Sequence, residues 1–207
     1  MGNRICFREV KKSDYQALEQ IINDTWVFES FCSPEIASSM AKFYLSTCLS
    51  VQTFTCVALN NNEPVGVIMG KNCSTKRLSW RFVLTQLKAV ISILSSQEGR
   101  KIAAVFREFY RLEHSLLQEA GQDYDGELVF FAVRSDQQGM GIGKGLYTRL
   151  MRYFKNEQLC SFYLNTDTTC NIGFYEHQGL EKKAEKKYSL KPYRDQEITF
   201  FLYSKQL

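Results

Sequence analysis

One stretch decides the fold of this chain: Gly126-Glu-Leu-Val-Phe-Phe-Ala-Val-Arg-Ser-Asp-Gln-Gln-Gly-Met-Gly-Ile-Gly-Lys-Gly-Leu-Tyr147. It opens with an apolar run, 128–133, that is typical of a buried strand. A short polar break follows, and glycines then stand at every second position from 139 to 143. Apolar residues return at 146, 150, 151 and 154, which is the spacing of one helix face. The stretch therefore predicts a strand that turns through glycines into a helix.

A turn of this kind is suited to bind an anion. The first N–H groups of a helix lie at the positive end of its dipole, where they can donate hydrogen bonds to a ligand. Glycines let the backbone approach that ligand closely and adopt positive φ angles without a Cβ clash. A phosphate is the usual occupant, so the stretch indicates a phosphate-binding turn.

The glycine spacing narrows the choice of phosphate ligand. A P-loop is excluded because Gln138 stands where its first glycine belongs and Gly145 where serine or threonine belongs. A dinucleotide-binding turn is excluded because Lys144 stands in place of the third glycine. The segment matches Gln138-x-x-Gly141-x-Gly143 directly after a strand. This pattern resembles the pyrophosphate loop of the GNAT superfamily of acyl-CoA-dependent N-acyltransferases.

A second segment downstream strengthens the resemblance. Phe162–Asn165 predicts a strand, and Asn171–Gly179 predicts a short helix that ends at a glycine in the C′ position. The latter segment, which continues into Leu180, is similar to the second GNAT signature. The two signatures occur in the order that the family fold requires.

The remaining pattern agrees with this fold. Upstream we expect a strand, a helix with a Ser13-x-x-Gln16 capping box, a second helix and a hairpin of two strands, at 5–9, 13–22, 34–49, 53–59 and 64–69. Two closing strands are predicted at 181–190 and 197–204. The resemblance implies an α/β (α+β) GNAT fold, with a mixed central sheet of six to seven strands and flanking helices. We expect residues 1–207 to form one domain.

A segment at about 72–125 departs from the family pattern, which has a short turn there. Apolar residues recur at helical spacing in two runs, Leu78–Leu94 and Ile102–Leu117, with Glu98-Gly99 between them. We expect a hairpin of two amphipathic helices between the third and fourth strands. Its apolar stripes must be buried against something. The hairpin could pack on the domain, form a lid over the acceptor pocket, or form a homodimer interface, and the sequence leaves these three alternatives open.

The composition indicates a folded domain in a reducing compartment. The chain has 207 residues, a formal net charge of +4, seven cysteines without a C-x-x-C pair, and two histidines. We therefore expect no metal site. The most clustered charges, at 181–187, mix both signs, so no nucleic-acid partner is expected. Neither a signal peptide nor a bilayer-length apolar run is visible, which favours a cytoplasmic protein without a membrane partner.

The resemblance implies a set of residues that bind acetyl-CoA as cosubstrate. The amides of 138–144 would hold the pyrophosphate, and the strand 131–133 would pair with the pantetheine arm. Val133 fits best as the main-chain oxyanion donor. Asn171 either contacts CoA or caps its helix. The full set is Phe131, Ala132, Val133, Gln138, Gly139, Met140, Gly141, Ile142, Gly143, Lys144, Asn171 and Phe174.

Two residues are candidates for acid–base catalysis. Tyr175 occupies the family position of the general acid that protonates the departing thiolate, although it could simply pack on the cofactor. Glu127 resembles the general base of histone-acetyltransferase members, and an apolar setting would raise its pKa toward the working range. The alternatives are an exposed carboxylate at a strand end, proton removal through a water chain, or the neighbours Tyr124 and Asp125.

The acceptor is not readable from the sequence. The segment 23–31 combines aromatic residues with two carboxylates, which suits a cationic amine and, more simply, an ordinary turn between helices. His114 and His177 are expected on helix surfaces. The function that fits best is transfer of an acetyl group from acetyl-CoA to a primary amine of a small molecule or peptide. The alternative is a CoA-binding GNAT-like regulatory module without turnover.

Overall fold

The computed structural model describes residues 5–26, 28–30, 32–75, 79–189 and 197–207. Within these ranges, strands and helices alternate in the order expected from the sequence. The strands are β1 (Ile5–Arg8), β2 (Phe54–Asn60), β3 (Glu63–Asn72), β4 (Gly126–Val133), β5 (Ser161–Asp167), β6 (Glu181–Ser189) and β7 (Glu197–Gln206). The α-helices are α1 (Tyr15–Trp26), α2 (Pro34–Val51), α3 (Trp80–Ser95), α4 (Gln97–Glu119), α5 (Ile142–Asn156) and α6 (Ile172–His177).

All seven described strands form one mixed sheet, in the order β1-β2-β3-β4-β5-β7-β6. Neighbouring strands are antiparallel except β4 and β5, which run parallel and are joined through α5. The turn between β2 and β3 has positive φ angles at Asn61 (50°) and Asn62 (71°), as a two-residue hairpin requires. The predicted mixed sheet of six to seven strands is confirmed.

The sheet separates two layers of helices. Alternate side chains of the central strands point to opposite faces because a strand has a period of two residues. On β2, Val57 and Leu59 pack in the core under α1 and α2, whereas Cys56 and Ala58 pack in the core under α5. The site described below lies where the central strands of this sheet diverge.

The start of α1 differs from the predicted capping box at Ser13 and Gln16. A 3₁₀ turn, Lys12–Asp14, precedes the helix. The carboxylate of Asp14 accepts a hydrogen bond from the backbone N–H of Lys11 (2.7 Å) and pairs with Arg8 of β1 (2.6 Å). This ion pair holds the pKa of Asp14 below its usual value. The ion pair with Arg8 of β1 therefore decides how the helix begins, and the predicted capping box at Ser13 does not form. Only the tertiary structure brings Arg8 to this position.

The predicted helical hairpin is present as α3 and α4, but its turn is not at Glu98-Gly99. The helices are separated at Ser96, whose hydroxyl accepts a hydrogen bond from the N–H of Gly99 (2.9 Å) and so caps α4. Gly99 lies in the first turn of α4, where a Cβ would collide with the carbonyl oxygen of Ile93. Glycine is therefore needed here for close packing and not for a turn. Leu78 and Leu190, which the sequence placed in a helix and a strand, lie outside the described residues.

The hairpin packs on the rest of the chain through both of its helices, α3 against α2 and α4 against β6 and β7. Phe106 meets Phe28 edge to ring (5.5 Å between centroids), and Phe109 packs on Phe200 of β7 (4.9 Å). One face of α3 lies on α2, where Ser92 is hydrogen-bonded to Ser39 (2.9 Å). Packing against the domain therefore accounts for α4 and for one face of α3.

Candidate active site

The central feature of the site is a gap between two parallel strands. β4 and β5 pair only at Gly126 with Phe162 and at Glu127 with Tyr163. Beyond Glu127 the strands diverge, and no described strand pairs with the β5 side of β4. Its backbone N–H and C=O groups are available to an extended ligand on that side, as at any unpaired strand edge.

A β-bulge in β4 accompanies the divergence. On the β3 side, Met69 lies opposite Phe130 and Gly70 opposite Leu128, so Val129 is an extra residue in β4. Leu128 consequently packs with the core under α5, whereas Phe130 packs with the core under α1 and α2. The bulge turns β4 away from β5 and so opens the gap.

The glycine turn follows directly after this gap. Gly139 and Gly141 adopt left-handed backbone conformations, with φ angles of 78° and 76°, and Gly141 is the N-cap of α5. No heavy atom of the described chain lies within 4 Å of a Cβ built at either position. No side chain caps the first amides of α5, which leaves them available to an anion at this helix start.

The turn is anchored to β4 at its first residue. The side-chain amide of Gln138 donates a hydrogen bond to the carbonyl oxygen of Val133 (3.2 Å). Arg134, just after β4, forms ion pairs with Asp136 (2.7 Å) and with Glu63 at the start of β3 (2.5 Å). These bonds hold the turn in a fixed relation to the open edge of β4.

Aromatic side chains connect the glycine turn to α6. Gly143 lies beside Phe131 and Phe174, with 3.4 Å and 3.8 Å from its Cβ position to the nearest ring atoms. The rings of Phe131 and Phe174 are 5.4 Å apart, and Tyr147 of α5 meets Phe174 edge to ring. Three elements are thus in contact here: β4, α6 and the start of α5.

Tyr175 lies at this convergence and is buried. Its ring meets that of Phe131 at 6.5 Å. Burial raises the pKa of the Tyr175 hydroxyl above its usual value, and the nearby Cys170 and Asp167 add to the effect. The hydroxyl therefore remains protonated at neutral pH, as a proton donor must be before it acts.

Asn171 caps α6. Its side-chain oxygen accepts a hydrogen bond from the backbone N–H of Phe174 (3.3 Å). The capping alternative for this residue is thus observed. Gly179, with a φ of 75°, follows the end of α6 as the sequence predicted.

Glu127 stands where the two strands separate, in a mixed rather than apolar setting. Its carboxylate lies 3.5 Å from the ammonium nitrogen of Lys71, its cross-strand neighbour on β3. On the other side is Tyr163, whose pKa is raised by burial and further by the charge of Glu127. The surroundings of Glu127, which the sequence left open, are therefore mixed, because the register places a lysine opposite the glutamate.

The residues considered as fallbacks for Glu127 have structural roles. Asp125 accepts hydrogen bonds from the backbone N–H groups of Cys160 (2.8 Å) and Ser161 (3.2 Å), which fixes the start of β5. The ring of Tyr124 packs against Tyr163 at 5.2 Å. Both residues hold the paired start of β4 and β5 in place.

Sequence reasoning missed Glu113, a carboxylate on α4. The side chain lies on the inward helix face, between Phe109 and the fully buried Leu116. Burial raises the pKa of Glu113 to about 7, and the negative charges of Glu127 and Asp167 contribute. The sequence offered one signal for a buried carboxylate, because Glu113 occurs among the helically spaced apolar residues of Ile102–Leu117. This signal does not indicate what the helix packs against.

The described part of the segment 23–31 comprises the last turn of α1 and the short 3₁₀ helix Phe28–Ser30 that precedes α2. The ring of Trp26 packs on Tyr44 (4.5 Å) and on Phe130 of β4 (5.6 Å), and the amide of Asn23 donates to Glu29 (2.8 Å). These contacts agree with the simpler interpretation as a helix-to-helix turn. Val27 and Phe31 lie outside the described residues.

The remaining features that the sequence singled out are the histidines, the cysteines and the question of a metal site or a membrane-spanning helix. His114 and His177 are both exposed. All seven cysteines are free. Within the described part of the chain, no group of histidine, cysteine or acidic residues has the geometry to hold a metal ion. No helix in that part is both long and apolar enough to cross a membrane.

Buried polar atoms beside the gap are suited to contact a polar ligand. The side-chain oxygen atoms of Tyr147, Asn165 and Thr166 are buried and have no hydrogen-bond partner among the described residues. Two of these residues belong to β5 and one to α5, the elements that flank the opening. Buried polar groups normally have partners. Together with the open space above Gly139 and Gly141, these atoms suit a long ligand that carries amide and phosphate groups.

Comparison with known proteins identifies the class. The model of the acetyltransferase (GNAT) family matches residues 15–180. The chain therefore belongs to the GNAT family, and it is an acetyltransferase. Comparison with curated protein sequences gave no match.

Solved structures have the same fold at low sequence identity. The crystal structure of SsHAT has a TM-score of 0.67 and 17% identity, with 98% of each chain covered. Arabidopsis thaliana NAA60, in complex with a bisubstrate analogue, has a TM-score of 0.58 and 16% identity, with 98% of each chain covered. An N-acetyltransferase from Staphylococcus aureus Mu50 has a TM-score of 0.57 and 15% identity, again with 98% of each chain covered. Identities at this level show the fold alone.

Proposed function

We propose that the chain is an N-acetyltransferase that moves the acetyl group of acetyl-CoA to a primary amine of a small molecule or peptide. The amine attacks the thioester carbonyl directly, and the carbon–sulfur bond breaks from a tetrahedral intermediate. The observation that carries this proposal is the divergence of β4 and β5 immediately before a glycine turn with two left-handed residues.

The cofactor side of the gap is suited to CoA. In the proposal, the amides of Gln138–Lys144 bind the pyrophosphate, and the open edge of Phe131–Val133 pairs with the pantetheine arm. Phe174 packs against the same arm. Asn171 contributes by fixing the start of α6, and a direct contact with CoA is not needed for that role.

The backbone of Val133 is the proposed oxyanion donor. Val133 is the last residue of β4, and its carbonyl oxygen accepts the bond from Gln138 that fixes the strand end. A main-chain N–H held in this way needs no reorganisation when negative charge develops on the carbonyl oxygen.

Tyr175 is the proposed proton donor to the departing thiolate. Its protonated, buried hydroxyl adjoins the ring of Phe131, which lies on the proposed pantetheine strand. A donor at this place contributes on the order of 10²–10⁴-fold to the rate when it is well positioned.

Glu127 is the proposed acceptor of the amine proton. It lies at the point where β4 and β5 separate, and the nearby Glu113 and Asp167 make this side of the gap acidic. Carboxylates here would also attract a protonated amine before it loses its proton.

The test is release of free thiol from acetyl-CoA across a panel of polyamines, aminoglycosides, amino acids and peptides with free N-termini. At least one amine should stimulate thiol release, with formation of the acetylated amine. Tyr175→Phe should lower kcat at least about tenfold and leave CoA binding intact, because the aromatic packing is kept. Unchanged kcat in this variant would remove Tyr175 from the chemistry.

The alternative, a CoA-binding module without turnover, makes a different prediction. CoA would still stabilise the fold in a thermal-shift measurement, but no amine in the panel would stimulate thiol release. Absence of a CoA shift would contradict both forms of the proposal. The cytoplasm is the proposed location, since seven free cysteines are typical of a reducing compartment.

A further inference from the structure

Helix α3 exposes an apolar stripe. Six large apolar side chains on it are more than 40% exposed, with Trp80 at 77%, Leu84 at 64% and Ile91 at 61%. The complete stripe is Trp80, Val83, Leu84, Leu87, Ile91 and Leu94. An isolated exposed leucine is ordinary, but a contiguous stripe along a helix marks an interaction surface.

The stripe lies on the face of α3 opposite to its contact with α2. The contact face carries the buried Ala89 and Ile93, together with Gln86, whose amide donates a hydrogen bond to Ser50 of α2 (3.3 Å). A helix that is apolar on two opposite faces has partners on both sides. In the described chain, α3 contacts α2 and α4, and the stripe remains exposed.

The area of the stripe matches one half of a dimer interface. The exposed parts of its six side chains amount to roughly 600 Å² of apolar surface, which is at the upper limit for a patch on a monomer. Two such stripes in contact would bury about 1,200 Å², the lower bound for a stable protein–protein interface.

Five of the six stripe residues are spaced symmetrically about Leu87, and the symmetry position of the sixth, Leu84, is the half-buried Val90. Trp80 and Leu94 lie seven residues before and after it, and Val83 and Ile91 lie four before and after it. If two such helices pack antiparallel about a two-fold axis at Leu87, Trp80 meets the partner's Leu94 and Val83 meets the partner's Ile91. A two-fold interface needs a self-complementary patch, and this arrangement supplies one.

The charges of α3 lie off the stripe. The helix carries Arg81 and Lys88, which are both exposed, and no carboxylate. Two basic residues are fewer than the clusters of about four to eight that hold a protein on an anionic membrane. The symmetric spacing has no use at a lipid surface, and it therefore favours a second copy of the chain.

We propose that two copies of this chain form a two-fold dimer through antiparallel contact of their α3 helices, with Leu87 at the axis. This contact is separate from the glycine turn and from Tyr175, because α3 packs in the layer of α1 and α2, whereas Ile142 and Tyr175 pack in the core on the other face of the sheet. The dimer is independent of the proposed function and places the helical insertion between the two subunits.

The first test is the mass in solution by sedimentation equilibrium. The wild-type chain should sediment at twice its 24.0 kDa mass at micromolar concentrations. Leu87→Glu should weaken the dimer at least about 100-fold, because two carboxylates would meet at the axis. The matched control is Thr85→Glu, which adds the same charge to an exposed position on the other side of α3 and should leave the dimer intact.

A charge pair tests the antiparallel register. Val83→Lys alone and Ile91→Glu alone should each weaken the homodimer, because each places one unpaired charge opposite an apolar residue. An equimolar mixture should associate at least about tenfold more tightly than either variant alone, because Lys and Glu then meet across the axis. Circular dichroism and urea unfolding check that all variants are folded.

Three outcomes would overturn the proposal. The first is a wild-type chain that remains monomeric at about 100 µM, well above ordinary dimer dissociation constants. The second is a mixture of the two charge variants that fails to associate. The third is a monomeric wild-type chain that binds vesicles of phosphatidylcholine and phosphatidylglycerol in equal parts and loses this binding with Leu87→Glu, which would assign the stripe to lipid.

Discussion

The glycine turn and the helical insertion belong to the same chain but are specified in different ways. The turn of Gln138–Lys144 is fixed by a local pattern, because left-handed conformations at Gly139 and Gly141 leave the amides of α5 exposed. The insertion, α3 with α4, has no local motif, and its course depends on which apolar face finds which partner. The difference shows that the spacing of residues predicts a local backbone conformation. The same spacing does not predict which elements an amphipathic helix packs against.

The largest expected effect is at the glycine turn. Gly141→Asp should weaken CoA binding at least about 100-fold, because a side chain at a φ of 76° is strained and its carboxylate would repel the pyrophosphate. Isothermal titration with CoA measures the effect. Gly141→Asn is the matched control, since asparagine has the same shape without the charge and tolerates this conformation.

The comparison between the two Gly141 variants isolates the charge. Gly141→Asn should bind CoA at least about tenfold more tightly than Gly141→Asp. If Gly141→Asp binds CoA as the wild-type chain does, the pyrophosphate does not lie at this turn.

The second prediction is that a change in the helical insertion lowers stability without affecting CoA binding at the glycine turn. Gly99→Ala should lower the free energy of unfolding by about 2–3 kcal/mol, because its Cβ would collide with the carbonyl oxygen of Ile93 where α3 meets α4. Urea unfolding measures this loss. The dissociation constant of CoA should change less than about twofold, since α4 does not reach the glycine turn. A large loss of CoA affinity would show that the two regions are coupled.

The third prediction concerns the carboxylate that α4 carries into the domain. The folded state raises the pKa of Glu113 from 4.5 to about 7, so it binds more protons than the unfolded state between these values. This contribution to stability is fully present below pH 4.5 and is lost as the pH rises through about 7. The difference in free energy of unfolding between Glu113→Gln and the wild-type chain should shift in favour of the variant by about 2 kcal/mol from pH 5 to pH 8. This value is reduced to allow for partial solvent contact of the carboxylate.

Urea unfolding at the two pH values measures this difference. Glu108→Gln is the matched control, because it removes an exposed carboxylate from the same helix. An equal response of Glu113→Gln and Glu108→Gln would mean that Glu113 is not buried against the sheet.

The smallest expected effect is at the cap of α6. Asn171→Ala should cost about 1 kcal/mol of stability, because the N–H of Phe174 loses its side-chain acceptor and keeps only the backbone carbonyl of residue 171. Asn171→Asp keeps an acceptor and should retain that stability. If Asn171→Asp nevertheless weakens CoA binding about tenfold or more, Asn171 contacts the cofactor in addition to its capping role.

The sequence predicted the elements well wherever their pattern is local. The order of strands and helices, the hairpin turn at Asn61 and Asn62, and the glycine after α6 are all confirmed. The family membership inferred from two signatures is also confirmed. The roles of Tyr175 and Glu127 remain predictions, although the two residues lie beside the gap that those roles require.

The errors in reading the sequence share one physical cause. Asp14 replaces the predicted cap at Ser13 because Arg8 approaches it from a strand. The turn predicted at Gly99 lies at Ser96 because that glycine serves close helix packing. In each case a non-local partner decided between local alternatives of similar free energy.

By itself, the sequence determined the strand–glycine–helix unit, the order of the elements and the family, since these depend on φ angles and hydrophobic periods within short segments. Only the tertiary structure decided that β4 bulges at Val129 and leaves β5, that Glu113 points inward, and that α3 leaves Leu87 uncovered. These features arise from packing between segments that are far apart in the chain. Hydrophobic periodicity indicates that a helix face is apolar, but it does not indicate which element covers that face.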